Sequence, residues 1–302
     1  MQQEQEGKWV KWALMAVLAL IWGSSFILMK RGLFHNGEPV LEPLQMASAR
    51  LGIAWLALSP LLFRHAHLLR KHWLPLLGTG LLGNGIPAFL FAIAQSGIDS
   101  SLSGMLNSLT PLFTLLAGVA IFGHRIRAIQ VGGVLLGLTG AVGLVVFSRH
   151  QAGAPTWSVH ALLPVIGTLC YGLSGNIVKR WLYTLPAAAT AALALTFVGP
   201  IGLVGAWVTD IPRTLAAHPH GWSSLGYVAT LAVLSSALSL VLWNALLKRT
   251  SAVWASSVTY LMPVVAISWG LLDGEPFTLG QMGMVLVVLA GVYLVGRAEA
   301  RK

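Results

Sequence analysis

Trp22-Gly23-Ser24-Ser25, closed by Lys30-Arg31, returns 149 positions later as Tyr171-Gly172-Leu173-Ser174, closed by Lys179-Arg180. The match extends outward in order. Trp73 pairs with Trp222 at the same offset, Pro111 with Pro263 at 152, Gln130-Val131-Gly132 with Gln281-Met282-Gly283 at 151, and Gly140 with Gly291. Internal repetition is read before other features because it fixes architecture. Here it implies one unit written twice, residues 1–147 and 159–302, joined by a polar loop at 148–158 that holds Gly153 and Pro155.

The composition says where such a unit lives. Of 302 residues, 56% are hydrophobic and only 9% charged, a balance that points to lipid rather than to a soluble core. Ten stretches carry few or no charges: 12–29, 44–63, 73–94, 102–122, 129–147, 159–178, 187–208, 225–247, 252–272 and 279–295. Most reach the roughly 20 residues that a helix needs to cross the hydrocarbon core. Sustained period-2 alternation is absent, which rules against a β-barrel and leaves helices to satisfy the backbone in lipid. Lys8 and Lys11 precede the first stretch as they would in a secretory signal, but its length and the spans that follow make it a retained anchor.

Five spans per copy is an odd number, so the second copy enters the membrane from the opposite side. The expected fold class is all-α integral membrane, with ten transmembrane helices as two inverted five-helix repeats. Such repeats serve alternating access around a mid-bilayer site. Lys and Arg collect on cytoplasmic loops. With an internal N-terminus, fourteen of the nineteen fall on one side, against Lys30, Arg31, Arg149 and Arg213 on the other and Arg50 within a span. Both termini are therefore expected in the cytoplasm. The net charge of +10 follows from this topology, with anionic headgroups as its neighbour, and does not point to nucleic acid. Cys170 stands alone, so neither disulfides nor a thiolate metal site is expected, nor any cofactor.

The sequence resembles the drug/metabolite transporter superfamily, in its EamA-type branch of ten-helix exporters. The resemblance rests on Trp22-Gly23-Ser24-Ser25-Phe26, Arg50, Pro111 with Phe122-Gly123, Tyr260-Leu261-Met262-Pro263 and Gly274-Glu275, and it covers essentially the whole chain. His124 stands where such proteins carry an acidic residue. The resemblance implies export of amino acids or other small metabolites across a bacterial inner membrane, with amino-acid exporters of the YddG type as the nearest subgroup.

Several polar and helix-breaking residues fall at mid-span. Gly83, Gly85 and Pro87 surround Asn84 in the third span and should loosen its backbone, either for close packing or to line a cavity. Pro111 and Pro263 predict matched kinks in the fourth and ninth spans, and paired interruptions point to a transporter's binding region. Ser103, Asn107, Thr110 and Thr114 share one helical face. Asn107 is the one that demands a partner, as interhelical glue or as a ligand to solute. Ser236, Ser239 and Trp243 share a face in the eighth span. Trp22 and Tyr171 occupy matching positions, and Tyr260 lies beside Pro263, so these aromatics are candidates for cavity lining as well as for core packing. The predicted substrate-binding set is Trp22, Ser25, Asn84, Asn107, Thr110, Tyr171, Ser236, Trp243 and Tyr260. Arg50 lies about six residues, roughly 9 Å, from the external end of its span. It reads first as a snorkelling residue with Glu42 or Glu38 as partner, because it lies shallow for a central site, with a direct grip on a substrate carboxylate as the second reading.

All nine acidic residues fall outside the spans. Proton-coupled transporters carry protons on intramembrane Asp, Glu or His, and His160 at a span edge is the one candidate, so facilitative transport is expected. An enzyme would need a convergent catalytic set, and no His-Glu-x-x-His or Gly-x-Ser-x-Gly is present. His65-x-His67 and His218-x-His220 sit in polar loops and read as solvated segments rather than metal sites. A receptor would bring a larger extramembrane domain. The expected solute is an aromatic or other large neutral amino acid, with efflux of an uncharged or weakly cationic drug-like molecule, or proton-coupled exchange of another metabolite, as the alternatives.

Overall fold

The computed structural model describes residues 2–98, 100–125, 127–149, 159–272 and 278–300. The expected linker, apart from residues 148 and 149, and the Gly274-Glu275 pair lie outside the described residues.

The chain is almost wholly helical. α1 (Gln2–Leu33) leads through a hairpin of β1 (Phe34–His35) and β2 (Glu38–Pro39) into α2 (Pro43–His65). Asn36 and Gly37 turn this hairpin at φ 50° and 89°, the positive values a two-residue turn requires. α3 (Leu69–Gly80) runs through a π-helical segment, Leu81–Gly85, into α4 (Ile86–Ala94). α5 (Ser100–Asn107) and α6 (Thr110–Ala120) meet at a turn and are followed by α7 (Ala128–Arg149).

The second copy runs through α8 (Leu162–Ile177), α9 (Ala187–Leu195), α10 (Gly199–Val208) and a short α11 (Ile211–Ala217). α12 (Gly221–Thr230) and α13 (Ser239–Arg249) flank a second π-helical segment, Leu231–Leu238. α14 (Ala252–Ser256), α15 (Val258–Leu272) and α16 (Leu279–Ala300) complete the chain.

Seven helical stretches among the described residues are long and apolar enough to cross a bilayer, and Ala128–Leu144 and Ala252–Val265 are shorter apolar helices. One of the seven, Pro43–Ala94, has 52 residues, about 78 Å at helical rise against a hydrocarbon core of roughly 30 Å. It is broken where the backbone leaves helical geometry at His65 (φ −123°, ψ 9°) and His72 (φ −119°, ψ 20°).

The buried side chains form two large clusters. One gathers Met15, Leu18, Leu144, Leu246, Trp254 and Val288, the other Phe26, Met46, Leu51, Phe91, Leu195 and Leu231. Trp22 and Trp243 pack against both, so they sit where the clusters meet.

Glycine seams bring the copies together. α7 packs along α16 and α2 along α10. At the first seam a Cβ on Gly140 would stand 2.7 Å from the Val288 backbone nitrogen, and one on Gly291 would enter the backbone of Gly137. At the second, a Cβ on Gly202 would lie 2.7 Å from Ser48 O. Association in lipid depends on such close backbone approach. Gly291→Leu is therefore expected to push α16 off α7 and cost about 1–3 kcal/mol or more, read as a lower unfolding temperature and loss of monodisperse protein. Gly283→Ala, with nothing within 4 Å of the added carbon, should change neither.

Candidate functional site

One cavity of about 110 Å³ lies between the two copies. A water needs roughly 10–15 Å³ by this measure, so the cavity holds several waters or one small solute. Its wall combines aromatic rings (Trp22, Phe26, Phe91, Tyr171, Trp243) with hydroxyls and amides (Ser25, Thr79, Asn84, Asn107, Thr110, Ser174, Ser235, Ser236, Ser239, Thr259) and a single formal charge, Arg50.

The repeated motif explains part of this wall. In α1, Trp22 turns into the cavity while Gly23 lets the helix close on α15, a Cβ there meeting Val265 Cβ at 2.7 Å. In α8, Tyr171 lines the cavity and Gly172 closes on α6, where a Cβ would lie 2.7 Å from Thr114 N. Ser25 and Ser174 follow three residues on, and Thr110 and Thr259 add a third lining pair at the offset of 149. The Asn176 amide then ties α8 to α6 by donating to Thr114 O at 2.9 Å.

The interrupted helices supply the polar half. Gly83 and Asn84 come from the π-helical segment between α3 and α4, Ser235 and Ser236 from the one between α12 and α13. Such widened turns shift backbone groups out of the regular ladder and recur at functional sites. Ser235 O is used by partners outside its own helix ladder. It accepts from Trp22 Nε1 at 3.2 Å and from Ser239 Oγ at 2.6 Å, and Ser239 Oγ also accepts from Trp22 Nε1 at 2.9 Å. Trp22 thus bridges the copies, with its ring 5.6 Å from that of Trp243. Across the cavity Phe91 stacks on Tyr171 at 5.9 Å.

The prolines act through the carbonyls they leave without a donor. Pro111 stands at the start of α6, and Asn107 O, four residues earlier, accepts from Thr110 Oγ1 at 2.7 Å. Pro263 lies inside α15, and Thr259 O is met by Ser108 Oγ of the other copy at 3.4 Å. The kinks are consequently not matched in place. The turn at Ser108 directly precedes Pro111, whereas its counterpart at Ser257 lies six residues before Pro263.

Some polar atoms around the cavity are sealed without a partner: Asn84 Nδ2, Asn107 Oδ1 and Thr79 Oγ1. Buried polar groups are normally paired, and orphans call for an explanation. Asn107 Nδ2 finds only the Met262 sulfur, at 3.3 Å. Arg50 Nε donates to Ser236 Oγ at 2.8 Å.

The structure gathers Trp22, Ser25, Asn84, Asn107, Thr110, Tyr171, Ser236 and Trp243 around this one space. It sets Tyr260 elsewhere. That ring is fully buried, its hydroxyl donates to Val134 O at 2.8 Å, and Gly137 leaves room for its edge. It clamps α15 to α7 because the residue beside a kink need not share the face of the kink. Gly85 and Pro87 pack behind Asn84 and do not line the cavity, while Gly83 does. Arg50 also departs from expectation, lining the cavity rather than snorkelling outward. Thr79, Ser235 and Thr259 line the cavity without having been singled out from the sequence, and Met262 only as part of the Tyr260–Pro263 motif. The Ser235-Ser236 doublet was the only available signal, in a stretch with neither Gly nor Pro.

Comparison with known proteins places these features in a family. The EamA-like transporter family matches twice, over residues 9–146 and 159–297. The "uncharacterized inner membrane transporter YedA" of Escherichia coli (strain K12) is 27% identical, with 92% of this chain and 88% of that protein covered. A "probable amino-acid metabolite efflux pump" of Salmonella typhimurium is 25% identical, with 93% of each chain covered. A "probable terminal-alkyne amino-acid exporter" of Streptantibioticus cattleyicolor is 26% identical, with 95% of this chain and 93% of that protein covered. A chain solved by crystallography superposes with a TM-score of 0.68 at 16% identity, covering 96% of this chain and 97% of its own, and so shares the fold.

Proposed function

Because this chain belongs to the EamA-like transporter family, we propose that it is a ten-helix exporter of amino acids with large neutral side chains. It works by alternating access of two inverted repeats about the cavity. One observation carries this reading: pairs of residues at a single offset, Trp22 and Tyr171, Ser25 and Ser174, Thr110 and Thr259, converge on one aromatic, hydroxyl-lined space. Two copies related by a two-fold axis in the membrane plane produce that convergence.

Helix packing supports the same axis. α6 packs on α8 as α1 packs on α15, and α4 packs on α8 as α1 packs on α12 and α13. Exchanging the copies maps each contact onto its counterpart. The relatives named for amino-acid efflux support the substrate class. The location that fits is the bacterial inner membrane, with both termini on the cytoplasmic side, where most of the Lys and Arg lie.

The mechanism proposed is facilitative. Among the described lining residues there is no Asp, Glu or His to take up a proton, and proton-coupled carriers use such groups within the membrane. In reconstituted vesicles, flux of phenylalanine, leucine or methionine is expected to saturate, to be stimulated by unlabelled solute on the opposite side, and to keep its rate when an imposed pH difference is collapsed. Strict dependence on that difference would remove the facilitative mechanism, and non-saturable flux would replace the carrier with a pore.

A further inference from the structure

Among the described residues of the cavity wall Arg50 is the only Lys, Arg, His, Asp or Glu, with the neutral phenol of Tyr171 in the same wall. Its nearest acidic residue in sequence, Glu42, lies eight positions away, about 12 Å along the helix, at the N-cap of α2. The one hydrogen bond its guanidinium makes to protein is Nε–H to the neutral Ser236 hydroxyl. A guanidinium has five N–H donors in a planar fork, and neither Nη is among the atoms sealed off without a partner. A charge held in a membrane span without a counter-ion is costly and marks a ligand pathway. A second donor in the same wall, Asn84 Nδ2, is buried with no acceptor. On the acceptor side the cavity offers only neutral oxygens, with Asn107 Oδ1 unpaired.

We infer that the cavity selects its solute by a carboxylate, held by Arg50 and Asn84, and does not require an α-ammonium group. The inference rests on the reading of this cavity as the solute site and narrows it. Two N–H groups of a guanidinium match the two oxygens of a carboxylate, a geometry that an ammonium lacks. A cationic solute would meet Arg50 in a space of low dielectric with no carboxylate to offset the repulsion. An ammonium finds only neutral acceptors, the Asn107 carbonyl and hydroxyl oxygens among them, contacts that water replaces at little cost. Trp22 with Trp243, and Phe91 with Tyr171, enclose the apolar body. The solute class is thus a monocarboxylate with an aromatic or apolar body, whether amino acid or its deaminated counterpart, and weakly cationic drug-like molecules are disfavoured.

The test uses the purified full-length protein with three probes of one shape: L-phenylalanine, 3-phenylpropanoate, which lacks the amine, and L-phenylalaninamide, which lacks the carboxylate. Binding is read by calorimetry and by competition in counterflow. The two acids are expected to bind within about threefold of each other and the amide roughly 10- to 100-fold more weakly, the cost of losing a charge-assisted bond. Arg50→Gln should bring the acids down to the level of the amide, and Arg50→Lys, which keeps the charge but loses the fork, should restore part of the difference.

Equal binding of acid and amide by the wild-type protein would overturn the inference whether or not the variants fold. It would leave amino-acid export standing. Binding of phenylalanine without 3-phenylpropanoate would overturn it as well. Binding of 3-phenylpropanoate without phenylalanine would support it and remove amino acids as the cargo. Failure of all three to bind would overturn both readings.

Discussion

Replacing Tyr260 by Ala is expected to cost about 3–5 kcal/mol, the range for deleting a large buried aromatic side chain, and to yield little folded protein. The ring is wholly buried between α15 and α7, with its edge against Gly137. Tyr260→Phe keeps the ring and loses only the bond to Val134 O, about 1 kcal/mol by the usual net value. A buried carbonyl left without that donor adds to the loss. The pair separates a clamp from a solute ligand. Thermal unfolding should rank wild type, Phe and Ala in that order, while Tyr260→Phe keeps the transport rate and substrate affinity of the wild type. A Phe variant that folds normally but loses affinity would return Tyr260 to the solute path.

Trp22→Ala is expected to do the opposite, lowering transport by about tenfold or more with only a modest fall in stability. The side chain is half-buried with one face towards the cavity, so although it touches both core clusters its truncation costs less packing than that of the wholly buried Tyr260. What goes is a wall of the binding space. The indole N–H holds Ser235 O and the Ser239 hydroxyl, and the ring meets Trp243. Losing one aromatic face of the enclosure around the solute removes roughly 1.5–3 kcal/mol of apolar contact, which corresponds to about tenfold or more in affinity. Trp22→Phe retains a ring without the N–H and should fall between. The measurement is initial flux in vesicles matched for protein content. Wild-type flux from Trp22→Ala would mean that solute does not pass this cavity.

The contrast between these two aromatics shows what can be read before folding. Both lie at mid-span beside a helix-disturbing residue, and nothing local distinguishes them. Trp22 has a counterpart at the repeat offset, Tyr171, and both line the cavity. Tyr260 has Pro111 at that offset and faces a neighbouring helix instead. Repeat pairing separates these two aromatics, while polarity alone places Ser25, Asn84, Asn107, Thr110 and Ser236 in the cavity wall. The third span carried glycines and a proline that announced its loosened backbone. Its counterpart at Leu231–Leu238 is equally interrupted yet contains only aliphatic residues and serines. There the widened turn is held by contacts from outside, through Trp22 and Arg50 onto Ser235 and Ser236. The direction of the Arg50 side chain was the other property that counting residues to the span end could not give: its Nε–H meets Ser236 of the other copy, and the side chain joins the cavity wall.

The chain alone determined that this protein is helical, lipid-embedded and built from two copies of one unit. Those properties follow from the length of apolar runs and from the order of matched residues, which are fixed by covalent sequence. Tertiary structure decided which side of each helix faces the cavity, which aromatics clamp the core, and that Arg50 in the cavity wall has no carboxylate beside it among the described residues. Each of these depends on how helices from both copies rotate against one another. That rotation is set by close contacts at glycine seams such as Gly137 with Gly291, between residues too far apart in sequence for any local pattern to report.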